Sequence, residues 1–154
     1  MARGSGGAGA LIDDAAAADG VAAGRTGGAR AAARAPASVK TLFINVWATW
    51  CGPCLAEQPH FQKLYERTKD RADVVVFSLN VDDEIGLVEP FLREKGFTFP
   101  SLLAASYVSR TLGAVAVPQT WIVDRRGLWL WQQLGYDGDP DWERSMLEKI
   151  GSAK

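Results

Sequence analysis

The chain of 154 residues has only two cysteines and one histidine, and its 17 Lys and Arg nearly balance its 18 Asp and Glu. Each shortage excludes something. A net charge of −1 leaves no electrostatic case for binding nucleic acid or an anionic membrane surface. No apolar run approaches the ~18 residues that a transmembrane helix requires. An apolar core of about 7–15 residues, needed for a secretory leader, is also missing near the start, so no signal peptide is expected in this chain. Both cysteines fall in one C-x-x-C, which leaves none for a structural disulfide framework, and cysteine usage does not fix the compartment. A metal centre at the two thiols would need two more ligands, and His60 is the one remaining residue of the Cys and His types. No metal and no other cofactor is therefore expected.

The length suits about one domain with a sizeable core. Residues 1–38 differ from the rest: Ala and Gly dominate, and Leu11, Ile12 and Val21 are almost the only large apolar side chains. Such a segment buries too little surface to offset its ordering entropy. It is expected to be a tail or linker, and residues 39–154 are expected to form the domain. The Gly-rich start, Gly4 to Gly9, follows no strand, so it is a weak phosphate loop.

What the chain does have is Trp47-Ala48-Thr49-Trp50-Cys51-Gly52-Pro53-Cys54, between an apolar run (Lys40 to Trp47) and a helix-compatible run (Cys54 to Asp70). The spacing predicts strand, turn, helix, with Cys51 at the turn. Unpaired N–H groups and the dipole at a helix start stabilise an anion, and the thiolate is the reactive form of cysteine. Cys51 is thus a candidate nucleophile, with Cys54 close enough to close a disulfide.

Further along, Asp73 to Val81 reads as a second buried strand. Glu84 to Lys95 reads as a helix with Ile85, Val88, Phe91 and Leu92 on one face, ended by Gly96. A short extended piece at Ser101 to Ala104 and a helix at Ser106 to Leu112 follow. Gln119 to Val123 and Leu128 to Leu134 read as a hairpin, and Asp141 to Ile150 as the last helix. The order is β-α-β-α-(β)-α-β-β-α. Alternation places Trp129 and Trp131 on one strand face, and Trp121, Trp129, Trp131 and Trp142 are expected to pack in the core or on the sheet.

These residues resemble the thioredoxin family. The W-C-G-P-C core matches, as do Pro59 eight residues after Cys51 and Val117-Pro118 before Trp121-Ile122-Val123-Asp124. Glu57, the run Val76 to Asp83 and Phe99-Pro100 are similar to the TlpA/ResA-like branch of extracytoplasmic thiol–disulfide oxidoreductases. The resemblance covers roughly residues 39–150. Relatives of that branch often place a β-hairpin before this region, which implies a degenerate version over Leu11 to Arg30 as the alternative to a tail. It implies an α/β thioredoxin fold: a central mixed sheet flanked by helices on both faces, with an αβ insertion between the second strand and the cis-Pro strand. It also implies an extracytoplasmic protein, with a cytoplasmic location left open; a monomer is expected.

In function, the resemblance implies disulfide-bearing protein substrates and an upstream thiol reductant. Cys51 attacks, Cys54 resolves, and Gly52-Pro53 suggests a reducing poise. Trp50 is expected at the rim, and Pro118 is expected to be cis, with the Val117 backbone offered to substrate. Thioredoxins usually place a buried acid six residues before the first cysteine, where this chain has Asn45. That puts weight on Glu57 or water as proton acceptor for Cys54, which is expected near solvent. Glu57 as a solvated helix-surface residue stays open. Two competing functions remain: an oxidase or isomerase with the same residues, and a redox-sensing or partner-binding module without turnover.

Overall fold

Strand β1, Thr41–Trp47, is apolar at nearly every position and buried on both faces, as a strand in the middle of a covered sheet must be. The computed structural model describes residues 38–113 and 115–153. The Ala/Gly-rich stretch expected over residues 1–38 therefore lies, apart from Ser38, outside the described residues.

Five strands form one sheet in the order β3-β2-β1-β4-β5, where β2 is Val74–Asn80, β3 Ser101–Leu103, β4 Gln119–Asp124 and β5 Trp129–Leu134. β1, β2 and β3 run parallel, and β4 and β5 close the other side antiparallel. Among the described residues four α-helices accompany them: α1 Gly52–Thr68, α2 Val88–Lys95, α3 Ala105–Leu112 and, after β5, α4 Trp142–Ser152. The piece α2-β3 between β2 and α3 is the expected αβ insertion, and β3 adds a strand at the sheet edge.

The two sheet faces carry separate cores. On one, Phe43 and Ile122 meet Phe61 and Leu64 of α1 and Trp142, Met146 and Ile150 of α4. On the other, Val46, Leu79 and Trp121 are covered by Ala104 and Val108 at α3. Trp47 is fully buried, and its indole N–H is satisfied by Ser78 Oγ (3.1 Å) and Ser101 Oγ (3.3 Å), as a buried indole requires.

Two expectations fail here. Trp129 and Trp131 do not share a face. A bulge in β5 pairs Ile122 with Trp131 but Val123 with Trp129, so two β5 residues are passed for one of β4. The extra residue breaks the two-residue alternation. Trp131 joins the α1/α4 core, while half-exposed Trp129 stacks on Trp121 across the sheet, with centroids 5.1 Å apart. Nor does one helix run from Glu84 to Lys95. Residues Ile85–Leu87 form a 3-10 turn, α2 begins at Val88, and Ile85 stays exposed.

Candidate active site

Helix α1 starts immediately after Cys51, which caps it. The Cys51 backbone is extended (φ −91°, ψ 104°), its Sγ accepts the Cys54 N–H at 3.2 Å, and Pro53 occupies the first turn. A proline costs nothing there, because the first N–H groups have no helical partner. The helix thus begins two residues before the expected Cys54. Cys51 and Cys54 are joined in a disulfide, with Cα atoms 5.2 Å apart.

Burial separates the two sulfur-bearing residues. Cys51 is 5% exposed and Cys54 0%. Cys54 was expected near solvent, yet it lies on the inner side of α1, packed with Trp47, Ala48 and Val88. Gly52 and Pro53 are exposed, and no atom lies within 4 Å of a Cβ built on Gly52. Trp50 is 70% exposed beside them. Val117 packs against the cluster that holds both cysteines, and the Val117–Pro118 peptide bond is cis.

The turn before Cys51 is held by a carboxylate that sequence reasoning passed over. Asp82, at the end of β2, is buried and accepts the Thr49 N–H (2.9 Å) at Oδ2 and the Thr49 hydroxyl (2.7 Å) at Oδ1. Asn80 Nδ2 donates to the same carboxylate at 2.6 Å, and Asn80 Oδ1 accepts the Asp82 N–H at 3.0 Å. The signal was present as an Asn-x-Asp after a buried strand, but nothing local shows that it faces Thr49, 33 residues earlier.

A second polar group lies one helical turn after Cys54, on the same helix. Glu57 is buried, so it is not a solvated helix-surface residue. Its Oε2 accepts from Asn45 Nδ2 at 2.9 Å, and the Thr120 hydroxyl lies 3.4 Å from its Oε1. Asn45 Oδ1 in turn accepts from Gln58 Nε2 at 3.3 Å. Burial pushes the Glu57 pKa from 4.5 to about 7, against the lowering effect of the Asn45 and Thr120 hydrogen bonds, with Asp137 adding to the rise. The neutral amide of Asn45 and the acid of Glu57 thus share one buried site. His60 is half-buried and lies against Tyr136, with ring centroids 5.8 Å apart.

A family model described as Redoxin matches residues 14–150. The chain belongs to the Redoxin family. Among curated relatives of this Redoxin chain, it is 29% identical over 89 residues to the thiol-disulfide oxidoreductase ResA of Bacillus thuringiensis subsp. konkukian. That alignment covers 57% of this chain and 51% of the relative. Identity to the thioredoxin-like protein YneN of Bacillus subtilis is 30% over 90 residues, 58% of this chain and 53% of that one. The chain spans about half the length of the curated relatives it matches. Its fold is similar to that of a putative thiol:disulfide interchange protein DsbE from Chlorobium tepidum. The TM-score is 0.63 at 24% identity, over 75% of this chain and 81% of the other. The family and the fold are those of a TlpA/ResA-like thioredoxin-fold protein. Among the described residues, no helix is long and apolar enough to cross a membrane.

Proposed function

We propose that this chain is a thiol–disulfide oxidoreductase that reduces disulfides of protein substrates through the Cys51/Cys54 pair. The observation that carries the reading is Cys51 Sγ at the cap of α1, with the Cys54 N–H pointed at it from 3.2 Å. A donor and a helix start directed at one sulfur favour its thiolate. The disulfide seen here is the oxidised state, and an upstream dithiol returns it to the working form.

In the reduced form, Cys51 is the nucleophile. Its thiolate attacks one sulfur of the substrate disulfide, a Cys51–substrate S–S bond forms, and the other substrate sulfur leaves as a thiolate that takes up a proton. Cys54 then loses its proton and attacks Cys51 Sγ. The second substrate sulfur leaves, and Cys51–Cys54 closes. Two electrons and two protons pass to the substrate in all.

Because Cys54 is sealed from water, its proton needs a buried acceptor. Glu57, one helical turn further on and with a pKa of about 7, is matched to that task near neutral pH. Trp50, Gly52 and Pro53 are the exposed ground on which substrate lands, and the Val117 backbone before Pro118 pairs with it. The TlpA/ResA-like character supports an extracytoplasmic site of action.

The test is catalytic reduction of insulin disulfides, followed with the equilibrium potential of the Cys51/Cys54 pair against glutathione. Turnover with a potential near the ~−270 mV of reducing thioredoxins supports the reductase. A potential near ~−120 mV assigns the opposite electron flow, and no turnover at all leaves a redox-sensing module.

A further inference from the structure

The segment from Asp83 to Leu87 is tied at both ends to the turn that carries the disulfide. At its start, the Val81 N–H donates to Trp47 O at 2.9 Å and Asp82 holds Thr49. At its end, Val88 is buried in the cluster that contains Cys51 and Cys54. Between these anchors the chain turns outward, leaving Ile85 59% and Leu87 50% exposed. With Trp50 at the turn itself, three large apolar side chains stand in water at the pole of the disulfide. Apolar groups clustered this way mark an interaction surface.

The chain segments at this pole contribute charge of one sign. The three stretches that build it, residues 47–57, 80–92 and 115–119, contain no Lys or Arg, although the chain has 17. They do contain Asp83, Glu84 and Glu89, all exposed. The next cations along the chain, Arg93 and Lys95, pair with Glu89 (4.0 Å) and Glu94 (3.1 Å), and Lys95 Nζ lies 5.9 Å from the Phe91 ring; among the described residues neither forms an ion pair with Asp83 or Glu84. Acids such as Asp83 and Glu84 at the edge of an apolar patch attract cations and repel anions over about one Debye length, roughly 8 Å in physiological salt.

We infer that the 83–87 loop and Trp50 form a seat for substrate segments that are basic and apolar around their disulfide. Aliphatic side chains lie against Ile85, Leu87 and Trp50, and Lys or Arg faces Asp83 and Glu84. The inference rests on the reductase reading and names the substrates it selects.

The experiment uses the full chain, reduced with dithiothreitol and then freed of it. Its probes are two disulfide-linked homodimeric peptides, identical except for lysines or glutamates beside a Leu-Cys-Leu core, and neutral hydroxyethyl disulfide. The lysine peptide should oxidise the protein roughly tenfold faster than the glutamate peptide at low salt. The gap should close toward unity at high salt. In Asp83→Lys/Glu84→Lys the ratio should fall roughly tenfold, and in Ile85→Ser/Leu87→Ser both peptides should slow by at least about threefold. Equal peptide rates in the wild type at low salt, or a ratio that ignores the charge reversal, would overturn the inference. If hydroxyethyl disulfide still oxidises the dithiol in that case, the reductase reading stands alone. Failure of all three probes to oxidise it overturns both. The wild-type comparison requires no variant to fold.

Discussion

Asn45 Nδ2 on β1 donates a 2.9 Å hydrogen bond to Glu57 Oε2 on α1, joining the strand before the disulfide to the helix after it. Both residues are buried. The contact places a carboxylate where the strand itself offers only an amide.

The pH dependence of stability follows from Glu57. Its native pKa of about 7 lies above the ordinary 4.5, because burial disfavours the charge. The native state therefore binds more protons than the unfolded chain between these values. The stabilisation is fully present below pH 4.5 and is lost as pH rises through 7, by about 3 kcal/mol in all. Glu57→Gln should remove this loss, so the variant should gain roughly 3 kcal/mol on wild type between pH 4.5 and 8. Urea unfolding of the disulfide form across that range measures it, and parallel curves would contradict the assignment.

Catalysis should respond to the same substitution. With Cys54 buried, water is a poor substitute for Glu57 as proton acceptor. Release of reduced substrate from the mixed disulfide should slow by about 10²-fold or more in Glu57→Gln. Single-turnover kinetics should show the wild-type rate rising through pH 7 and the variant lacking that step. Superimposable profiles would remove Glu57 from the proton path.

Thiol roles can be separated by trapping. Cys51→Ser should abolish turnover, and Cys54→Ser should accumulate a mixed disulfide visible on a non-reducing gel. In the reduced wild type, iodoacetamide should label Cys51 in preference to fully buried Cys54. Adducts on Cys54 in the Cys51→Ser protein would reverse the assignment.

Asp82 should matter to both fold and turn. Asp82→Ala leaves the Thr49 N–H, the Thr49 hydroxyl and Asn80 Nδ2 without their shared acceptor. Leaving buried donors unpaired costs about 1–3 kcal/mol each at most, and a total near 2–4 kcal/mol is expected. Denaturant midpoints test this. A change below about 0.5 kcal/mol, the level of an ordinary surface substitution, would show that the turn does not depend on the carboxylate.

Local sequence determined a good deal by itself. The apolar run of β1, the proline in the first turn and the C-x-x-C spacing act within a few residues, so they specify strand, turn and helix cap without help. Gly96 ends α2 with φ 69°, a conformation glycine adopts freely. Long-range packing decided the rest. Whether Glu57 is solvated depends on β4, which brings Thr120 to it from 63 residues away. Whether Asp82 is a surface acid or a clamp depends on Thr49, in a different crossover. The faces of Trp129 and Trp131 depend on one extra residue in the pairing of β5 with β4, and a strand shows its bulge only against its partner. Backbone preferences are written residue by residue, whereas desolvation and hydrogen-bond partners arise only when distant segments meet. The sequence could therefore point to the two thiols and to Glu57, but only the fold could bury that acid.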